Sequence, residues 1–283
     1  VVFALPPFHE PFDYDMTVLS VTGRGYGSAF CATLQSGHVK CWGSNSQSSL
    51  GSGVLSGDGP ETCGTVPDQW GNAVQTPCST YPDYVREGLF DVHPLADVTA
   101  VVSGLYAASF CAIETAPDGY MGRVASCWGD NRGGALGSGA DDLAVAESRY
   151  AVPVMHHSGT GRLDRITGLV GAGPGDIYII GPDHPNTTGG SYCASQDWGG
   201  VVCWGDNTFG QLGIGPNVMP PLVRTTGADP CGTTFCSATP TVVDFMRGLP
   251  FVEGQVYDND AVAVTGLGAG GGFCALMTTG HVK

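Results

Sequence analysis

Charge is what this 283-residue sequence has least of: Asp, Glu, Lys and Arg make up 13% of it, and only 11 of those residues are basic. The formal net charge of −15 excludes the basic patch through which proteins gain most of their affinity for phosphate backbones and anionic lipid surfaces. Nucleic acid is therefore not an expected partner. Long apolar runs are missing too. The longest, Val98 to Ile113, is interrupted by Thr, Ser and Gly and falls short of the ~18 residues that suggest a membrane span, so no direct membrane insertion is expected. No window sustains apolar spacing of three and four residues, and Gly with Pro breaks every candidate helix. No Cys-x-x-Cys pair occurs, which argues against a thiolate zinc site. No Ser, Cys or Thr converges with a base, and no two carboxylates pair as acid and base. The chain is expected to be no enzyme and to carry no cofactor or metal.

What is present is glycine, at 45 residues, with 42% hydrophobic content and 11 cysteines. That cysteine count suits an oxidising compartment, and its oddness leaves one thiol over. The opening Val-Val-Phe-Ala-Leu is too short for a signal-peptide core and lacks the basic flank, so a signal is expected to have been removed.

Four segments align: FCATLQSGHVKCWG from Phe30, FCAIETAPDGYMGRVASCWG from Phe110, YCASQDWGGVVCWG from Tyr192 and FCALMTTGHVK from Phe273. Their first cysteines, Cys31, Cys111, Cys193 and Cys274, stand 80, 82 and 81 residues apart, a long period that implies inserted loops. Before each lies a β-branched, Gly-rich run reading as a strand. After each come alternating residues, a turn such as Gln35-Ser36-Gly37, and a return run ending in Cys-Trp-Gly, which together make a hairpin. Ser44-Asn45, Asp130-Asn131 and Asp206-Asn207 then break the strand, and Leu-Gly follows at Leu50, Leu136 and Leu212. The division is a lead segment 1–17, a first repeat 18–97, a second 98–165, a third 166–261, and half of a fourth at 262–283. The fold is all-β, and evenly spaced short strands with a Trp-Gly signature suit radial blades. FCATLQSGHVKCWGSNSQSSLG and YCASQDWGGVVCWGDNTFGQLG resemble the repeat of the regulator of chromosome condensation family. The resemblance covers about 20 residues in three units and half of the fourth, and it implies an incomplete β-propeller of about three and a half blades, with long loop inserts.

Cys31 with Cys41, Cys193 with Cys203, and Cys111 with Cys127 face each other across hairpins whose opposed Cα atoms lie within disulfide range. Cys63 with Cys78 and Cys231 with Cys236 each close a loop inside an insert. Only Cys274 remains. In the first copy Gly37-His38-Val39-Lys40 is followed by Cys41-Trp42-Gly43, so the fourth copy, at Gly280-His281-Val282-Lys283, is expected to continue with a cysteine bonded to Cys274.

Other features have plainer readings beside the sharp ones. Gly266-x-Gly268-x-x-Gly271 imitates a dinucleotide fingerprint, but the equivalent Gly23-Arg24-Gly25-Tyr26-Gly27 belongs to the repeat and no helix follows either, so tight blade packing is expected. Trp42, Trp128 and Trp204 are expected to pack between blades, with Leu50, Leu136 and Leu212, rather than to stack on sugars. Trp70 and Trp198 fall outside that place, and Trp70, in the Cys63 to Cys78 insert, is the candidate surface contact. Adjacent His156 and His157 make a weak metal site. Asp141, Asp142 and Glu147, like Asp258 and Asp260, have no known calcium-cage spacing and read as solvated acidic loops. Asn186-Thr187-Thr188 is a glycosylation sequon in an exposed insert, with Asn186 the expected acceptor.

The expected function is structural or interactive: a propeller segment of a larger secreted, cell-surface or appendage protein that assembles with protein partners, copies of itself among them. A secreted inhibitor or binding module, similar to β-lactamase inhibitory proteins with such repeats, is the second reading. A glycan-acting propeller enzyme is the third. The nuclear nucleotide-exchange role that the resemblance also implies is opposed by the acidity and the disulfides.

Overall fold

A computed structural model describes residues 17–24, 29–55, 61–67, 72–88, 92–104, 107–139, 145–173, 190–207, 210–214, 236–243, 260–266 and 272–283. These residues form strands, with short 3-10 turns and no α-helix among them. The first sheet contains β1 (Val18–Gly23), β2 (Ala29–Leu34), β3 (Val39–Ser44), β4 (Glu61–Pro67) and β5 (Ala73–Tyr84), in the order β1-β2-β3-β5-β4. The second contains β6 (Arg86–Glu87), β7 (His93–Pro94), β8 (Val98–Ser103), β9 (Ser109–Thr115), β10 (Arg123–Asp130) and β11 (Glu147–Pro153), in the order β7-β6-β11-β10-β9-β8. The third is β12 (Ile166–Ala172), β13 (Ser191–Gln196), β14 (Val201–Asp206) and β15 (Cys236–Val242) in sequence order, and β16 (Ala261–Gly266) pairs with β17 (Phe273–Met277).

Four core strands of each of the first three sheets form an antiparallel meander begun by the β-branched run that precedes each Cys-bearing hairpin. Strands of this kind bury one face against a neighbour, and a meander of four has two faces to cover. The first strands follow one another, β1 beside β8, β8 beside β12, and β12 beside β16, so the sheets succeed each other as blades. The fold is a β-propeller segment of three blades and the leading hairpin of a fourth.

The core lies in the seams. Cys31, Val39, Cys41, Leu50 and Val85 of the first blade meet Val98, Val101, Phe110 and Trp128 of the second. Cys111, Ala125, Cys127, Leu136 and Val154 of the second meet Ile166, Leu169, Tyr192 and Trp204 of the third. The pattern repeats because alternate residues of each hairpin face opposite seams. In the second and third blades cysteines face the following blade while aromatics face the preceding one.

Close backbone approach sets the glycines of the leading strands. A Cβ on Gly266 would stand 2.6 Å from the Gly171 carbonyl oxygen, and one on Gly171 would stand 2.6 Å from the Gly104 nitrogen. The fingerprint-like glycine is thus a packing residue. One pairing crosses the repeat boundary read from the sequence: β6 and β7 lie within 18–97, yet Glu87 pairs in parallel with Ala151 of β11 and so extends the second sheet.

Candidate functional site

The seams give the molecule its rigidity, and each is assembled from the same few groups. Cys31 lies opposite Cys41, Cys111 opposite Cys127 and Cys193 opposite Cys203, and each pair is bonded, with Cα atoms 4.0–4.1 Å apart. One residue along from each second cysteine, a tryptophan faces the other way. Trp128 and Trp204 are wholly buried, and the rings stack on Phe110 and Tyr192 at 6.0 and 5.9 Å. Their indole N–H groups donate to Ser49 O and Ala135 O of the preceding blade, both at 3.1 Å. Those carbonyls immediately precede Leu50-Gly51 and Leu136-Gly137. Gly51 and Gly137 have φ of +64° and +63°, and the nearest atom to an added Cβ would be an indole carbon at 2.7 and 2.8 Å. Leu-Gly is therefore the socket for the next blade's tryptophan.

The sequence alone did not show what holds that socket. Asn45, Asn131 and Asn207 accept the N–H of Leu50, Leu136 and Leu212 on Oδ1 at 3.2, 3.1 and 3.0 Å. Asn45 and Asn131 also donate from Nδ2 to the carbonyls of Val54 and Val145. The signal was an Asn five residues before each Leu-Gly leucine. Three further contacts cross between segments. Tyr192 Oη donates to Ser109 O at 2.9 Å, and complete burial pushes its phenol up to about 12. Arg162 Nη2 meets Glu114 Oε2 at 3.1 Å and donates to Ser126 Oγ at 2.9 Å. Burial raises the Glu114 carboxyl above its ordinary range, with Arg162 opposing the shift.

Trp42 holds the equivalent place on β3 and stacks on Phe30 at 5.9 Å, but no blade among the described residues covers it. Val18, Val21 and Phe30 are 48, 57 and 41% exposed, whereas their counterparts Val98, Val101 and Phe110 are at 5% or below. Among the described residues the leading face of the first blade is thus an exposed apolar surface. Leu212 is buried like Leu50 and Leu136, yet no tryptophan of the described residues reaches it.

The other exposed feature is the insert of the first blade. Strand β5 pairs with β3 over Cys78 to Tyr84 and with β4 over Ala73 to Cys78, so β4 and the first half of β5 extend beyond the blade as a two-stranded ribbon. A Cys63–Cys78 disulfide bonds it, and Tyr81 near its base is 74% exposed. Trp70 lies outside the described residues. So do Asn186, Asp141, Asp142, Asp258 and Cys231; Cys236 is disulfide-bonded, and Cys274 is a free thiol. Trp198 sits at the β13–β14 turn, 47% exposed.

The rings of His156 and His157 lie 3.8 Å apart. Burial and the neighbouring His156 lower the His157 imidazole's pKa. Among the described residues no group of three His, Cys, Asp or Glu is placed to hold a metal ion. No helix among them is long and apolar enough to cross a membrane.

No protein-family model matches the chain, and no curated protein matches its sequence. Solved structures do. Prp20p from Saccharomyces cerevisiae, described with its binding to Gsp1p and histones, is 14% identical with a TM-score of 0.45, over 90% of this chain and 41% of its own. Human WBSCR16 is 15% identical at TM-score 0.36, over 91% of this chain and 57% of its own. The ectodomain of the receptor kinase CR4 from Physcomitrella patens is 14% identical at TM-score 0.29, over 94% and 53%. This chain spans less than half of the Prp20p chain and little more than half of the other two.

Proposed function

We propose that this chain is a propeller segment, of the regulator of chromosome condensation type, in an extracellular structural protein that assembles with protein partners through its inserts. The observation that carries the reading is the β4–β5 ribbon: a disulfide-bonded, exposed insert mounted on a blade whose trailing face is given to a seam. Function concentrates on loops held by a rigid scaffold, and a ribbon fixed at its base loses little conformational freedom on binding. The paired cysteines fit an oxidising compartment, and the acidity disfavours nucleic acid. The hydroxyl–imidazole contacts of Ser158 with His156 and Thr279 with His281 are exposed and join residues two apart in one turn, and binding rather than catalysis is the role proposed.

The test places a photoactivatable cross-linking residue at Gln75 of the ribbon or at Tyr81 beside its base, and for comparison at Met121, which is 57% exposed away from it. In native material Gln75 and Tyr81 form covalent adducts with neighbouring protein, and Met121 does not. Recovery of free monomer with no adduct at Tyr81 or Gln75 overturns the reading. A single soluble partner in a one-to-one complex supports the inhibitor reading instead.

A further inference from the structure

Four disulfides join described residues, and one of them differs from the pairs that staple the seams. Cys31–Cys41 and Cys111–Cys127 lie inside filled seams, each cysteine at 1% exposure or below. Cys63–Cys78 is asymmetric: Cys78 is 1% exposed, whereas its partner Cys63 is exposed on the ribbon. The backbone around Cys63 widens that difference. The β4–β5 register shifts between Thr62 and Thr65, a bulge that contains Cys63 and Gly64, and a Cβ added to Gly64 would meet nothing within 4 Å.

Little besides this bond ties β4 to the blade. Among the described residues β4 ends its sheet and pairs with β5 alone. Thr62 faces Pro77, which has no N–H to give to the ladder, and the bulge interrupts the pairing next to it. Two-stranded ribbons are marginally stable by themselves in water. Strand β5 is held differently: its Cys78, Ser79, Asp83 and Tyr84 pair with β3, and the Pro77 carbonyl accepts the Asn45 N–H at 2.9 Å. Cys78 is therefore the fixed end of the disulfide and Cys63 the end that moves.

We propose that Cys63–Cys78 is a thiol–disulfide exchange site, attacked at Cys63 by a small thiol such as glutathione, and that its opening releases β4 from the blade. Access and the choice of sulfur govern such exchange, and exposed disulfides are the labile, regulatory ones. The open space beside Cys63 admits an attacking thiolate, and the packing around Cys78 does not. A bond forms between the thiol's sulfur and Cys63 Sγ as the bond to Cys78 Sγ breaks; Cys78 leaves as a thiolate and takes a proton from water. The products are a mixed disulfide at Cys63 and a thiol at Cys78, with no reactant consumed other than the small thiol. The seam pairs are withheld from the same reagent by the blades that cover them, so redox control falls on the ribbon and spares the propeller. What the opening switches, contact with neighbouring protein, rests on the function proposed above; the exchange itself does not.

The test uses the whole oxidised chain with its free thiols blocked by N-ethylmaleimide, incubated with reduced glutathione, quenched with iodoacetamide in denaturant and mapped by mass spectrometry. At early times glutathione is found on Cys63 and the alkyl group on Cys78, while Cys31–Cys41 and Cys111–Cys127 remain intact. Hydrogen exchange then quickens at the β4 amides and stays slow across the β2–β3 ladder. A variant carrying both Cys63→Ser and Cys78→Ser shows the same fast β4 exchange without glutathione. Glutathione on Cys78, or seam pairs that open as fast as Cys63–Cys78, overturns the site of attack. Amides of β4 as protected in the opened and doubly substituted chains as in the oxidised one overturn the release. A Gln75 cross-linker that forms no adduct in either state, while Cys63 takes glutathione and β4 is released, overturns the contact reading and supports the exchange site.

Discussion

Replacing Gly137 with alanine isolates the contact on which the seams depend. Gly137 has φ +63°, and an added Cβ would lie 2.8 Å from Trp204 Cδ1 and Nε1 and 3.0 Å from Val154 Cγ1. Two costs add. Left-handed backbone costs an L-residue about 1–2 kcal/mol. The ring cannot retreat, because it is fully buried, bonded to Ala135 O and stacked on Tyr192, and overpacking a dense core costs about 1–3 kcal/mol. Gly137→Ala is therefore expected to lose about 2–5 kcal/mol. Gly159→Ala is the control: its φ is +76° and nothing lies within 4 Å of the added carbon, so only the backbone cost of about 1–2 kcal/mol applies. Urea unfolding followed by tryptophan fluorescence gives both values. In a double variant with Trp204→Ala the steric part vanishes, so the pair costs less than the sum of the single changes. A Gly137→Ala loss no larger than that of Gly159→Ala, or strict additivity with Trp204→Ala, would refute the argument.

Trp204→Phe leaves the Ala135 carbonyl without its indole donor and costs about 1–3 kcal/mol, while Trp42→Phe on the open face stays within about 0.5 kcal/mol; thermal melts compare them. Asn131→Ala strands the buried Leu136 N–H and the Val145 carbonyl and costs about 2–4 kcal/mol by chemical unfolding. Tyr192, raised from 10.0 to about 12, keeps its proton when folded after the unfolded chain has lost it. Its contribution is therefore complete below pH 10 and falls by roughly 2–3 kcal/mol as pH rises to about 12. Tyr192→Phe flattens that part of the slope, read from urea midpoints on either side of pH 10. Reducing the cross-strand disulfides lowers stability by about 2–3 kcal/mol for each one opened, measurable as a fall in denaturant midpoint.

The seams were legible because their chemistry recurs. Cys, Trp, Leu and Gly return in the same order in three units, and period-two alternation assigns their faces. What stayed hidden has its groups far apart or alike in sequence. Glu114 and Arg162 are 48 residues apart and belong to no motif. Asn45, Asn131 and Asn207 read as turn residues, and only the structure shows the amides of Asn45 and Asn131 bridging a leucine N–H to the carbonyl of Val54 or Val145. Arg86 to Pro94 carries no sign that it joins the sheet of the next blade. Trp42 shares its Cys-Trp-Gly context with Trp128, so its half-buried state depends on which neighbour is present, a property no local pattern contains.

The two seam indoles reach backward. Trp128 takes its acceptor from the first blade and Trp204 from the second, never from a later one. A chain synthesised from its N-terminus folds in that same direction, so every arriving blade finds its docking carbonyl already fixed by an Asn and presented by a Leu-Gly turn. The molecule has a built-in order of assembly: each unit is the template for its successor, and a blade that arrives early has nothing to read.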